Sequence, residues 1–167
     1  MNEQNENLES QFRYADELIA NEQYNEAKDA LFKIIEDEPR FGKAYNHIGW
    51  IYETKEKRYR EAEKFYKQAM EFSPDYPAAY MNYIYLLNTE LRGPESEAMI
   101  MKAKDITGIN KISLWGEWAY MLEYSGRFEQ AIAKYKEIIP MQNNADKLEQ
   151  IRKDIERCRT KQEMQEL

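Results

Sequence analysis

Residues 45–74 read YNHIGWIYETKEKRYREAEKFYKQAMEFSP, and two helical patterns follow one another in this stretch. In the first half, apolar or small residues fall at i, i+3, i+4 and i+7, which is one face of an α-helix: Tyr45, Ile48, Gly49 and Tyr52. In the second half the same face is marked by Ala62, Tyr66 and Ala69. Pro74 ends the pattern, because proline cannot continue a helix and restricts the residue before it. The stretch therefore predicts a helix hairpin.

The same hairpin pattern occurs four times along the chain. A small residue recurs at spacings of 35, 34 and 35, at Ala27, Ala62, Ser96 and Ala131. A bulky apolar residue follows four positions after each of them, at Leu31, Tyr66, Ile100 and Tyr135. A repeat of this length predicts a stacked solenoid, because one hairpin cannot bury its apolar face alone and neighbouring hairpins must cover it.

The repeats define the expected organisation of the chain. We predict an all-α, right-handed α-solenoid of four hairpins, at residues 9–41, 42–76, 77–110 and 111–143. Residues 1–8 lack apolar content and are expected to be disordered. Residues 144–167 should form a C-terminal capping helix, since a narrow apolar stripe runs along an otherwise charged segment: Leu148, Ile151, Ile155 and Cys158.

Composition excludes several classes of protein. A net charge of −7 argues against a nucleic-acid binder, which needs clustered Lys and Arg to neutralise phosphates. The single cysteine excludes an internal disulfide and a multi-thiol metal site. No stretch approaches the roughly 20 apolar residues of a membrane span. The polar, acidic start of the chain does not read as a signal peptide, and the expected location is cytoplasmic.

The pattern resembles the tetratricopeptide repeat (TPR) family. The family consensus has Trp, Leu, Gly and Tyr on the first helix, and Ala, Phe, Ala and Pro on the second. The second repeat matches it best, at Tyr45, Ile48, Gly49, Tyr52, Ala62, Tyr66, Ala69 and Pro74. The third repeat departs most, since Gly108 stands where the closing proline is expected. The resemblance covers residues 8 to 143 and implies that the first helices line a concave groove that binds a ligand.

A second face of the first helices is the candidate groove. Aromatic rings recur there in register at Trp50, Tyr85 and Tyr120, while Asp16 takes this position in the first repeat. Rings with interleaved Asn amides suit an extended peptide, because the rings hold apolar side chains and the amides pair with backbone groups. The alternative is that these rings cover neighbouring helices or the final helix. The candidate groove residues are Phe12, Asp16, Lys43, Asn46, His47, Trp50, Glu53, Met81, Asn82, Tyr85, Asn88, Glu117, Tyr120 and Glu123.

One subtype of the family is disfavoured. Members that clamp the acidic tail of heat-shock chaperones use Lys, Arg and Asn, whereas the matching positions hold Phe12 and Asp16, then His47, then Ala78 and Asn82. A carboxylate-terminated peptide has no cation to pair with there. The carboxylates of the groove favour a neutral or basic protein or peptide partner, although Lys43 lies among them.

Enzyme chemistry finds little support. His47 is the only histidine, and a groove contact explains it better than general acid–base work with Glu53 or Glu117. There is no phosphate loop, metal-ligand spacing or nucleophile–base set, so we predict no cofactor, no metal and no catalysis. The expected function is a protein-binding adaptor or scaffold. Two alternatives stay open: a self-assembling structural protein that forms homo-oligomers, and a small secretion-type substrate chaperone.

Overall fold

The computed structural model describes the backbone of residues 3–165 and the side chains of residues 6–165, and within these residues the chain is helical with no strand. A 3-10 turn, Ile139–Met141, precedes the last helix. The α-helices are α1 (Glu3–Ala20), α2 (Tyr24–Asp37), α3 (Gly42–Thr54), α4 (Tyr59–Phe72), α5 (Pro77–Thr89), α6 (Gly93–Ala103), α7 (Lys111–Tyr124), α8 (Phe128–Ile138) and α9 (Ala145–Gln165). This order confirms the predicted all-α repeat fold. No helix of the described range is long and apolar enough to cross a membrane.

The N-terminus differs from the expectation of disorder over residues 1–8. Helix α1 already begins at Glu3, and Leu8 on it is half-buried. Glutamates in the first turns of a helix interact favourably with the helix dipole, which the apolar pattern alone does not reveal. Met1 and Asn2 lie outside the described residues, as do Glu166 and Leu167 at the other end of the predicted capping segment.

The chain divides into two compact units, Met1–Leu86 (unit 1) and Leu87–Leu167 (unit 2). In unit 1, α1 packs on α2, α3 packs on α4, and α2 packs on α3. The anchors Ala27 and Ala62 are fully buried. Gly49 lies so close to the second helix that a Cβ there would stand 2.8 Å from the Tyr66 ring. Small residues therefore permit the close approach that the sequence predicts.

In unit 2, α6 packs on α7, α7 packs on α8, and α8 packs on α9. The last helix contributes three side chains to the core of the α7–α8 hairpin, Ile151, Ile155 and Cys158. Leu148 is half-buried on the same stripe, while most of the other α9 side chains are exposed. Helix α9 is thus the predicted cap of the last hairpin.

The turns inside the hairpins each contain a left-handed residue. It comes two positions after the first helix, or three in the second turn, at Glu22, Lys57, Leu91 and Gly126. The next amide then donates to a carbonyl in the last turn of the first helix, at Leu18, Tyr52, Leu87 and Leu122. In the first, third and fourth turns this pattern is a Schellman motif, which satisfies carbonyls that the helix end would leave unpaired, whereas the second turn is one residue longer. Glycine occupies the left-handed position only in the fourth turn.

Candidate functional site

A cavity of about 320 Å³ opens in unit 1 between the first helices of the hairpins. Helices α1, α3 and α5 each contribute to its wall, as the groove hypothesis expects. The structure brings together five of the candidate residues there: Asp16, Asn46, His47, Trp50 and Asn82. Ile19, Tyr76 and Ala78 complete the lining. We call this site the unit 1 cavity.

Two carboxamides form one side of the unit 1 cavity. Asn82 Nδ2 donates to Asn46 Oδ1 at 3.0 Å, although Asn46 is 97% buried, being only 3% exposed. Each amide carries a donor and an acceptor, so the contact leaves Asn46 Nδ2 and Asn82 Oδ1 without a partner among the described residues. No fully buried side-chain polar atom of that part of the chain lacks a hydrogen bond. Asn46 Nδ2 therefore keeps a small solvent-exposed area.

A carboxylate and an imidazole are in contact in the same cavity. His47 Nε2 lies 3.0 Å from Asp16 Oδ1, and His47 Nδ1 lies 3.0 Å from the carbonyl oxygen of Lys43. The second carboxylate oxygen of Asp16 has no partner in the described chain, and the side chain is 47% exposed. The pKa of the Tyr76 phenol is raised, mainly by burial and also by the charge of Asp16. The field of this carboxylate thus reaches across the cavity.

Trp50 supplies the aromatic wall. Its ring is half-buried and lies 6.3 Å from the Tyr24 ring, centroid to centroid. The Lys55 ammonium lies over both rings, 5.1 Å from the indole centroid and 4.4 Å from the Tyr24 centroid. Cation–π contacts of this kind are attractive and stabilise the observed position of the indole.

Four other candidate residues are buried and do not line the unit 1 cavity. Phe12 packs edge-on against Phe41 and His47, with ring centroids 5.3 and 4.7 Å apart. It fills the junction between α1 and the start of α3 and cannot offer its ring to a ligand. Met81, Asn88 and Glu123 are also buried, and their predicted contact with a ligand stays a prediction.

Glu53, Asn88 and Glu123 occupy equivalent positions and join the two helices of their hairpins. Glu53 accepts a hydrogen bond from the Tyr66 hydroxyl at 2.5 Å, and Glu123 accepts one from the Tyr135 hydroxyl at 3.3 Å. In the third hairpin, where the tyrosine is replaced by Ile100, Asn88 accepts from the Ser96 hydroxyl at 2.5 Å. In the first hairpin both positions are apolar, Ile19 and Leu31. In the sequence, these pairs are recognisable because the residues at the two positions change together from one hairpin to another.

Glu123 also anchors the capping helix. Arg157 donates to both of its oxygens at 2.7 and 2.6 Å, and Lys161 donates at 2.8 Å. These donors lower the pKa of Glu123 from 4.5 to about 2, the Arg157 hydrogen bonds being the largest cause. Burial, together with the charge of Glu123, raises the pKa of the neighbouring Cys158 thiol to about 12. The thiol therefore stays protonated and unreactive at neutral pH.

The remaining candidates have different surroundings. Lys43 pairs with Glu9 at 3.1 Å. Glu117 accepts from Asn88 Nδ2 at 2.7 Å, and burial raises its pKa. Tyr85 in unit 1 and Tyr120 in unit 2 are 37% and 47% exposed, so α9 does not cover Tyr120. A single groove that joins the three aromatic positions stays a prediction.

One family model and several solved structures match this chain. A tetratricopeptide repeat model matches residues 42–76, which hold α3 and α4. A structure of PilF from Pseudomonas aeruginosa superposes with a TM-score of 0.83 at 14% identity, covering 98% of this chain and 72% of that one. A structure of PilW gives a TM-score of 0.75 at 21% identity, covering 94% and 76%.

A third solved structure, of the TPR protein YrrB, has a TM-score of 0.66 at 16% identity and covers 77% of this chain and 65% of that one. No curated protein sequence matches this chain significantly. The resemblance predicted from the sequence is confirmed: this chain carries a tetratricopeptide repeat at residues 42–76 and has the all-α helical-repeat fold of tetratricopeptide-repeat proteins.

Proposed function

We propose that the chain is a non-catalytic adaptor that binds an extended peptide segment of a partner protein at the unit 1 cavity. Proteins of the tetratricopeptide-repeat fold are generally protein-interaction adaptors and are generally non-catalytic. The observation that carries the proposal is the Asn46–Asn82 contact, which leaves one amide donor and one amide acceptor unused at the cavity.

A peptide backbone offers the matching groups. An extended residue presents one N–H and one C=O, which Asn82 Oδ1 and Asn46 Nδ2 can bind. The Trp50 ring next to them supplies apolar surface for a neighbouring side chain, and aromatic residues of this kind dominate binding energy at interfaces. Asp16, as the cavity's carboxylate, favours a neutral or basic segment over an acidic one.

A precedent exists within the fold. YrrB is described as a TPR protein with an unusual peptide-binding site. The likeness to YrrB shows the fold alone, and the proposal for this chain depends on its own cavity residues.

The test is a screen of a displayed peptide library against the whole chain, followed by affinity measurements with the selected peptides. Trp50→Ala should weaken binding by about 2–4 kcal/mol if the indole is a hot spot. Tyr124→Ala is the matched control, because this exposed aromatic residue belongs to unit 2. Equal affinities of the wild type and Trp50→Ala, or equal losses in both variants, would refute binding at the unit 1 cavity.

A second candidate function is that of a small chaperone for an exported substrate. The observation that favours it is the likeness to PilW, which is described as a widely conserved type IV pilus biogenesis factor. Co-purification from the source cells would decide between the two functions, because a chaperone should retain one abundant exported protein.

Light scattering at high concentration tests the self-assembly alternative, which a monomer would exclude.

A further inference from the structure

We propose that the unit 1 cavity selects an arginine side chain of the bound peptide, with the guanidinium group on the free oxygen of Asp16. This inference rests on the proposed peptide-binding function and names the side chain that the cavity recognises. The carboxylate, its orientation and the aromatic walls each support it.

The charge of the cavity is complementary to a cation. Asp16 is the carboxylate of the lining, and no Lys or Arg belongs to the lining within the described part of the chain. Two cations at the ends of α3 have other partners. Lys43 pairs with Glu9, and Lys55 lies over the rings of Tyr24 and Trp50.

Asp16 is held ready for a second partner. One oxygen faces His47 Nε2 at 3.0 Å, and the ring of His47 is itself fixed by the Lys43 carbonyl oxygen. The contact uses Oδ1 only, so Oδ2 is left for a ligand. Hydrogen bonds between a guanidinium and a carboxylate are among the strongest in proteins. His47 is a positioning residue in this arrangement.

The walls suit a flat cation better than a compact one. Trp50 and Tyr76 both line the cavity. A guanidinium stacks on aromatic faces and is weakly hydrated, whereas the lysine ammonium is a strongly hydrated point charge. A volume of about 320 Å³ is at the lower end of the range of about 300–1,000 Å³ for ligand pockets. The cavity therefore accommodates one long side chain.

Other side chains fit less well. An acidic side chain would face the carboxylate of Asp16, and no Lys or Arg of the lining would pair with it. An apolar side chain would cover the free carboxylate oxygen and remove its water without replacing the hydrogen bond, which is unfavourable. A neutral isostere of arginine is thus the sharpest comparison.

The experiment is a titration of the whole isotope-labelled chain, followed by amide and indole NMR shifts, with N-acetyl-arginine N-methylamide. The citrulline analogue has the same shape without the charge, and the lysine analogue has the charge without the plane. The wild type should bind the arginine probe at least about tenfold more tightly than the citrulline probe, since a hydrogen bond to a charged group is lost. The shifts should centre on the Trp50 indole.

Asp16→Asn should abolish the preference for arginine over citrulline. Glu17→Gln is the matched control, because Glu17 is the next residue on α1 and is exposed, and this variant should keep the preference. Equal binding of arginine and citrulline by the wild type would overturn the inference without any variant. Shifts centred outside the cavity, or a lysine probe that binds as tightly as arginine, would also overturn it.

The outcomes separate this inference from the proposed function. Library peptides that lose affinity in Trp50→Ala but contain no arginine would leave the peptide-binding function standing and overturn the arginine subsite. An arginine probe that binds at Asp16, while the library gives no ligand, would support the arginine subsite and contradict the peptide-binding function.

Discussion

Replacing Glu123 by glutamine should loosen the attachment of α9 to the α7–α8 hairpin. The Glu123 side chain is 5% exposed and accepts hydrogen bonds from Arg157, Lys161 and Tyr135. Glutamine has nearly the same shape but no charge, so the substitution removes the ionic part of these contacts and leaves the packing in place.

The magnitude follows from the pKa of Glu123. It falls from 4.5 to about 2, and a pKa unit corresponds to about 1.4 kcal/mol, so contacts to the ionised carboxylate contribute about 3 kcal/mol to stability. Arg157 keeps its 2.7 Å contact with Asp154, and the Arg157 and Lys161 side chains are 44% and 48% exposed. Water can therefore solvate the two cations in the variant. The expected loss in the free energy of unfolding of Glu123→Gln is about 2–3 kcal/mol.

The pH dependence has a definite sign. Because the folded-state pKa is depressed, the contribution is fully present above pH 4.5 and is lost as the pH falls toward 2. The difference in unfolding free energy between the wild type and Glu123→Gln should be constant at neutral pH and shrink between pH 5 and 3.

The assay is urea unfolding followed by tryptophan fluorescence in a Trp50→Phe background. The remaining tryptophans, Trp115 and Trp118, both belong to unit 2, so the signal reports the unit that contains Glu123. Glu149→Gln removes the same charge from an exposed ion pair on α9 and should change little. A Glu123→Gln effect below about 1 kcal/mol at pH 7, or one that does not change with pH, would refute the assignment of Glu123 as the anchor.

Two further predictions concern stability and are checked by thermal and chemical unfolding. Gly49→Ala should destabilise the protein by about 1–3 kcal/mol, because the new Cβ would lie 2.8 Å from two Tyr66 ring atoms; an unchanged stability would contradict the close approach of α3 and α4. Lys57→Gly should stabilise the protein by up to about 1 kcal/mol, because Lys57 is exposed and has a φ of 57°. Lys57→Val should lower stability, and a gain in that variant would show that the turn is not left-handed.

The repeat pattern predicts the parts of the fold that depend on periodicity. Ala27 and Ala62 are fully buried, and the α9 stripe packs as its spacing indicates, because a helix has a fixed angle per residue. The start of α1 was not predictable in this way, since residues 3–7 carry no apolar side chain and their helix depends on local charge and propensity.

The spacing indicates on which side of a first helix each candidate residue lies, but not how deeply its side chain is buried. A spacing argument assigns Glu53 and Glu123 to a side of the first helix, yet their hydroxyl partners come from the second helix of the same hairpin. Tyr76 lies in the turn before α5 and belongs to no helical face, so no periodic signal marks its place in the unit 1 cavity. The ring contacts of Phe12 with Phe41 and His47 were not predictable, because contacts between helices are not encoded in spacing.

The paired polar positions inside the hairpins limit how these repeats can be recombined. A carboxylate at the first position pairs with a phenol at the second, as in Glu53 with Tyr66. Where Ile100 replaces the phenol, Asn88 takes the first position and accepts from Ser96 instead. A consensus array assembled by averaging each column separately would combine Ile19-type with Tyr135-type residues, which leaves a buried phenol without its acceptor, or Glu123-type with Leu31-type residues, which leaves a buried carboxylate without its phenol. Chimeras of this chain should therefore exchange entire hairpins as inherited modules.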